Sequence, residues 1–205
     1  MKNKIIQQLP IDRHTLETIN YKEFFICDWK DVDRAKGGVE IYNAKPQGIK
    51  CVKVNNDKEI AVIFDGFGEN ALPEGTGLYC KQCECLLFPE ETTGSWTLFI
   101  ETKYANDEKL AFRKEHDYPN NMVNQIIQTV LYFRRKGIIG NNQKIHAIAS
   151  FPNLEIDYQD MLFRVLEESD KSPSIEEIKR NYNIIVKATN TANIISAKRI
   201  KLTSN

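Results

Sequence analysis

The sequence contains no apolar run approaching the roughly 20 residues that span a membrane. Its first residues, Met1-Lys2-Asn3-Lys4-Ile5-Ile6-Gln7-Gln8, lack the apolar stretch of a secretory signal. It carries no charge excess, with 28 basic and 28 acidic residues. That balance argues against a protein that coats nucleic acid by net charge alone. It leaves room for an enzyme whose acidic ligands offset its basic contacts. Histidine is scarce, and none of His14, His116 and His146 stands in a recognisable nucleophile context. Cysteine is odd in number: Cys27, Cys51, Cys80, Cys83 and Cys85. With no signal, five reduced thiols are expected. These absences predict a soluble, cytoplasmic protein without a membrane partner.

The 205 residues, 41% hydrophobic and 27% charged, suit one globular domain. Residues 11–34 read as partly helical, with Leu16, Ile19, Phe24 and Ile26 as the apolar positions. From residue 39 the apolar period falls to two. Strands are predicted at 39–42, 49–54, 60–64, 78–88 and 96–104, with a glycine-rich loop over 66–77. Residues 122–136 then carry a broad apolar helical face ending at Gly137, and 145–151 reads as a buried strand. A helix over 157–168, a second one capped by Ser174 with Glu177 and a closing hairpin over 183–202 complete the chain. The expectation is one α/β (mixed) domain over 1–205.

Three charges stand where two strands should be apolar. The run Trp96-Thr97-Leu98-Phe99-Ile100 ends in Glu101-Thr102-Lys103, and residues i and i+2 of a strand share a face. Glu84 interrupts the preceding apolar strand. Buried charges cost several kcal/mol unless paired or metal-bound. The connection 89–95 makes the two strands antiparallel neighbours, and their register then decides everything. Pairing Phe88 with Trp96 sets Glu84 against Ile100, on the wrong face. A shift of one residue, or a bulge, sets it against Glu101. United, the two carboxylates would suit Mg²⁺ or Mn²⁺, and Lys103 could orient an attacking water. The competing reading is an ion pair at a strand end, worth little.

An acidic residue in one strand, a loop, and Glu-x-Lys closing the next resembles the PD-(D/E)xK superfamily of restriction-endonuclease-like nucleases. The likeness covers about residues 48–151, and includes a helix and a further strand after Glu-x-Lys. The helix carries Gln128-Thr129-Val130-Leu131-Tyr132, similar to the Gln-x-x-x-Tyr of some members, with Gln125 one turn earlier. The family usually has proline and Asp where this chain has Cys83 and Glu84. The resemblance implies a central mixed β-sheet flanked by helices, with a nuclease core over 48–151 and a C-terminal α/β extension over 152–205. It implies a Mg²⁺- or Mn²⁺-dependent nuclease in restriction, antiphage defence or repair, acting on DNA rather than RNA, and a homodimer that cuts both strands. Glu84 and Glu101 would bind metal, with Asp65 as a rival ligand; Lys103 and Gln128 or Gln125 would act on water or phosphate. Glu17, Glu23 and Glu40 are candidates for an assisting acid on an N-terminal helix. The alternative is a degenerate nuclease-fold module that binds nucleic acid or a protein.

Of the basic clusters, Arg113-Lys114 and Arg134-Arg135 are the candidate phosphate contacts. Phe67 and Tyr79 are weighed as base-stacking groups and read instead as packing. Cys80-x-x-Cys83-x-Cys85 lacks the second ligand pair of a zinc site, and core packing is expected.

Overall fold

The computed structural model describes residues 1–30, 32–33, 36–91 and 94–203. Helix α1 (Lys2–Gln8) and one 3₁₀ turn lead into β1 (His14–Ile19) and β2 (Glu23–Asp28). Next come β3 (Val39–Tyr42), β4 (Val52–Asn55), β5 (Val62–Phe67) and the small hairpin β6 (Pro73–Gly75) and β7 (Leu78–Tyr79). Strands β8 (Cys85–Pro89) and β9 (Leu98–Thr102) precede α2 (Glu108–Ala111), α3 (Tyr118–Arg135) and β10 (Ile145–Ser150). The chain continues through α4 (Gln159–Glu167), α5 (Ile175–Tyr182), β11 (Ile184–Ala188), β12 (Thr191–Ser196) and β13 (Arg199–Thr203).

Two mixed sheets result. Six strands lie in the order β1-β5-β8-β9-β10-β11, and five in the order β13-β12-β4-β2-β3. The third strand pair is the hairpin β6-β7. In the larger sheet β10 runs parallel to both β9 and β11, and the remaining pairs are antiparallel. Residues 152–203 are built into both sheets: β11 completes the six-stranded one, and the β12–β13 hairpin joins the other through β4.

The architecture is mixed α/β, in three layers. Alternate residues of the central strands face opposite ways. Ile63, Leu86, Phe88 and Phe99 pack under Met122, Ile126, Val130 and Phe133 of α3. Val62, Phe64, Leu87, Leu98 and Ile100 pack against Phe24, Ile26, Val52 and Val54 of the second sheet. Burial on both faces explains the continuous apolar runs of β8 and β9, which a half-exposed strand would not need.

The structure departs from expectation in four places. Residues 14–28 form β1 and β2 and not a helix; the aromatic and β-branched run through Thr18, Ile19, Phe24, Phe25 and Ile26 fits a pleated surface better. That expectation extended into Asp31 and Arg34, which lie outside the described residues, as do Thr92 and Thr93 of the 89–95 connection. Residues 78–88 are not one strand. Between β7 and β8 the backbone finds partners elsewhere: Cys80 N–H donates to the Leu72 carbonyl (2.9 Å) and Cys83 N–H to Thr129 Oγ1 on α3 (2.9 Å). Of 183–202 only β12 and β13 form a hairpin. Finally, Cys27 and Cys51 form a disulfide, with Cα atoms 4.7 Å apart, so the expectation of five reduced thiols fails. Pairing of β2 with β4 brings the two together. Cys80, Cys83 and Cys85 are buried thiols, as packing predicted, although Cys83 joins the helix-side core where simple alternation would place it opposite. Among the described residues no helix is long and apolar enough to cross a membrane.

Candidate active site

Strand β9 starts as core and ends as chemistry. Phe99 and Glu101 share its helix-side face, and Lys103 follows on the same side. Lys103 N–H donates to the Ser150 carbonyl, 2.9 Å, which anchors the strand's exit to β10. Across the sheet, Cys85 pairs with Ile100, Leu86 with Phe99 and Leu87 with Leu98. One further residue along this register sets Glu84 opposite Glu101. The observed pairing is therefore shifted by one from simple closure on Phe88 and Trp96. Glu84 sits at the bend that precedes β8: its N–H donates to the Ile100 carbonyl (3.0 Å), and its carbonyl accepts from Phe67 N–H (2.9 Å).

One ammonium reaches both acids. Lys103 Nζ lies 2.6 Å from Glu101 Oε1 and 3.9 Å from Glu84 Oε1. The three groups therefore share a face. The Glu101 side chain is 0% exposed, Glu84 16% and Lys103 19%. Glu101 Oε2 is buried with no hydrogen-bond partner among the described residues.

A third carboxylate comes from the other sheet. Asp28 ends β2 after the apolar run Phe24-Phe25-Ile26-Cys27 and is buried. Its Oδ1 accepts from Lys30 N–H at 3.0 Å, and its own N–H donates to Tyr104 Oη at 3.1 Å. Asp28, Lys30, Gln82, Glu84, Lys103 and Gln125 line one cleft of about 600 Å³. Sequence reasoning missed Asp28, although an apolar strand ending in Asp repeats the signal that exposed Glu101.

The site is short of positive charge. Burial pushes the Glu84 carboxyl well above its ordinary range; Glu101 and then Asp28 push it further, against Lys103 and Lys30. Burial raises Glu101 to about 7, with Lys103 opposing and Asp28 adding. Acids so placed are neutralised either by protons or by a cation. The donors are all oxygens, and one of them, Glu101 Oε2, is orphaned, which fits a hard divalent ion better than zinc. As folded, no group of three or more His, Cys, Asp or Glu side chains converges into a metal centre among the described residues. Lys103 holds the ground between the acids.

Other predicted residues lie elsewhere. Asp65 shares the helix-side face but is buried against His14, whose Nδ1 is 2.9 Å from Asp65 Oδ1 and whose Nε2 is 3.2 Å from the Ala71 carbonyl. Gln128 is exposed. Helical rotation turns Gln125 and Thr129 toward the sheet instead: Gln125 Nε2 donates to the Gln82 carbonyl at 2.7 Å, and Thr129 Oγ1 to the Gln125 carbonyl at 2.7 Å. Tyr132, the other end of the Gln-x-x-x-Tyr match, is buried and donates to the Pro73 carbonyl. Arg113 and Lys114 are exposed beside a different cleft, with Arg113 3.6 Å from Glu115. Arg134 donates to the Gln143 carbonyl (3.0 Å), and Arg135 pairs with Glu74. Glu17 is on exposed β1, Glu23 pairs with Lys53 at 2.5 Å, and Glu40 accepts from Tyr42. Phe67 is buried against His14 and Phe133, while Tyr79 is partly exposed beneath the Arg13 guanidinium.

Comparison with protein-family models, with curated proteins and with solved structures finds no match.

Proposed function

We propose that the protein is a metal-dependent phosphodiesterase that hydrolyses nucleic acid, DNA in preference to RNA, on a restriction-endonuclease-like fold. The observation that carries this reading is the β8–β9 register, which puts Glu84, Glu101 and Lys103 on one face beside a polar cleft. Glu84 and Glu101, with Asp28, would hold Mg²⁺ or Mn²⁺. Such an ion polarises a phosphate and lowers the pKa of its water. The residues themselves do the positioning. Lys103 Nζ would donate to a non-bridging phosphate oxygen or to the attacking water. Gln125 orients a phosphate from the helix side. Glu101 itself is fully buried, and the low local dielectric strengthens its interactions.

One observation favours a second reading, a module of this fold that binds nucleic acid without cutting it: Glu101 and Lys103 already form a closed pair at 2.6 Å. The two readings separate in a cleavage assay on single- and double-stranded DNA and RNA with Mg²⁺ or Mn²⁺. The nuclease is expected to cut, and Glu101→Ala and Lys103→Ala to lose about 10²-fold or more in rate with the fold retained. A wild-type protein inert on all four substrates would leave the binding module.

A further inference from the structure

A second groove, of about 510 Å³, adjoins the cleft. Its lining includes Val32, Lys45, Lys50, Tyr104, Asn106 and Asn153. The two cavities share a wall. Lys30 and Lys103 face the cleft, while Val32 and Tyr104, one or two residues on, face the groove. The Tyr104 hydroxyl accepting from Asp28 N–H joins the two chain segments of that wall.

We propose that a single strand of nucleic acid crosses the site from the cleft into this groove, its phosphates held by Lys30 and Lys81 on one side of Lys103 and by Lys45 and Lys50 on the other. The inference rests on the phosphodiesterase reading and names the path of its substrate. Three observations support it. The first is charge: Lys45 and Lys50 line the groove, and in the cleft Lys30 and Lys81 stand among Asp28, Glu69 and Glu84, all four lysines being exposed to a strand that runs along the rim. Glu155 is the acid facing the groove lysines, 2.6 Å from Lys50, in an exposed pair that a phosphate can displace. The second is depth: Glu101 is fully buried and Glu84 opens onto the cleft floor with 16% of its side chain exposed, a recess that an extended single strand enters with less obstruction than a duplex. The third is placement: Arg134 and Arg135, at the far end of α3, lie about 14 Å along the helix from Gln125 at the helical rise.

The test is fluorescence anisotropy of a short labelled pyrimidine oligonucleotide with chelator present, so that binding is read without cleavage. Lys45→Ala/Lys50→Ala is expected to weaken binding by roughly tenfold at low salt and to make the slope of log affinity against log salt shallower by about 1.4, for two lost single-strand phosphate contacts. Arg134→Ala/Arg135→Ala should bind like wild type, and unlabelled single strand should compete better than duplex. Wild-type affinity and slope in the lysine variant would overturn the path, as would a loss confined to the arginine variant, or duplex competing better. Lysine-dependent binding by a protein that cuts nothing would keep the path and sink the hydrolysis. Cleavage that depends on Glu101 but has an unchanged KM in the lysine variant would do the reverse.

Discussion

Glu101 is a carboxylate with no exposed surface, one lysine contact and one unpartnered oxygen. Its ordinary value of 4.5 rises to about 7 on folding, chiefly through burial. The folded protein therefore keeps a proton that the unfolded chain gives up. Stability from this group is complete below about pH 4.5 and is lost as pH rises through about 7. Glu101→Gln stays neutral throughout, so its Tm, measured in chelator from acid to mildly alkaline pH, should fall less over that window than that of wild type. Parallel curves for the two proteins would show that Glu101 does not titrate there. The same protonation predicts linkage to metal. Mg²⁺ or Mn²⁺ uptake should release protons near neutrality and tighten as pH rises. Calorimetry in buffers of different ionisation enthalpy would detect this, and an uptake with no proton release would contradict it.

At the scale of elements, the decisive contact is between α3 and the bend before β8. Thr129 Oγ1 accepts from Cys83 N–H, and Gln125 Nε2 reaches the Gln82 carbonyl. These two contacts hold Gln82 and Cys83 off the ladder, which Glu84 joins through the Ile100 carbonyl and Phe67 N–H. Thr129→Val keeps the volume and leaves a buried N–H without a partner, which costs about 1–3 kcal/mol. Urea unfolding should show that loss, with weaker Mg²⁺ binding alongside because Glu84 adjoins Cys83. A variant as stable as wild type would show that the bend holds without the clip. Gln-x-x-x-Tyr matched on this helix by spacing alone. In space the match slips by one turn, since α3 turns Gln125 to the sheet and Gln128 to solvent.

At the scale of the whole molecule, the site lies where two sheets meet. Glu84, Glu101 and Lys103 come from the six-stranded sheet, and Asp28 from the five-stranded one. The Cys27–Cys51 disulfide sits one residue from Asp28 and closes a chain separation of 24 residues. By loop entropy such a link stabilises by about 3 kcal/mol. Reduction, or Cys51→Ser, should lower stability by up to that amount, and should reduce activity too if the second sheet supplies a working carboxylate. Activity that persists unchanged in the reduced protein would confine the disulfide to a structural part.

The sequence by itself determined the apolar strands, the α3 face, the Ser174 cap and the presence of charges at Glu84, Glu101 and Lys103. These follow from local period and composition, which neighbours along the chain report directly. It pointed to partial helix over residues 11–34, where β1 and β2 form instead, because period is ambiguous where apolar residues crowd together. It left the register open, because a one-residue slip changes which face a side chain occupies without changing the apolar content of either strand. It could not place Asp28 or Cys51 beside their partners, since both meetings depend on strand pairing across long stretches of chain. Only the tertiary structure decided those, through the packing of α3 on one face of β8 and β9 and of the second sheet on the other.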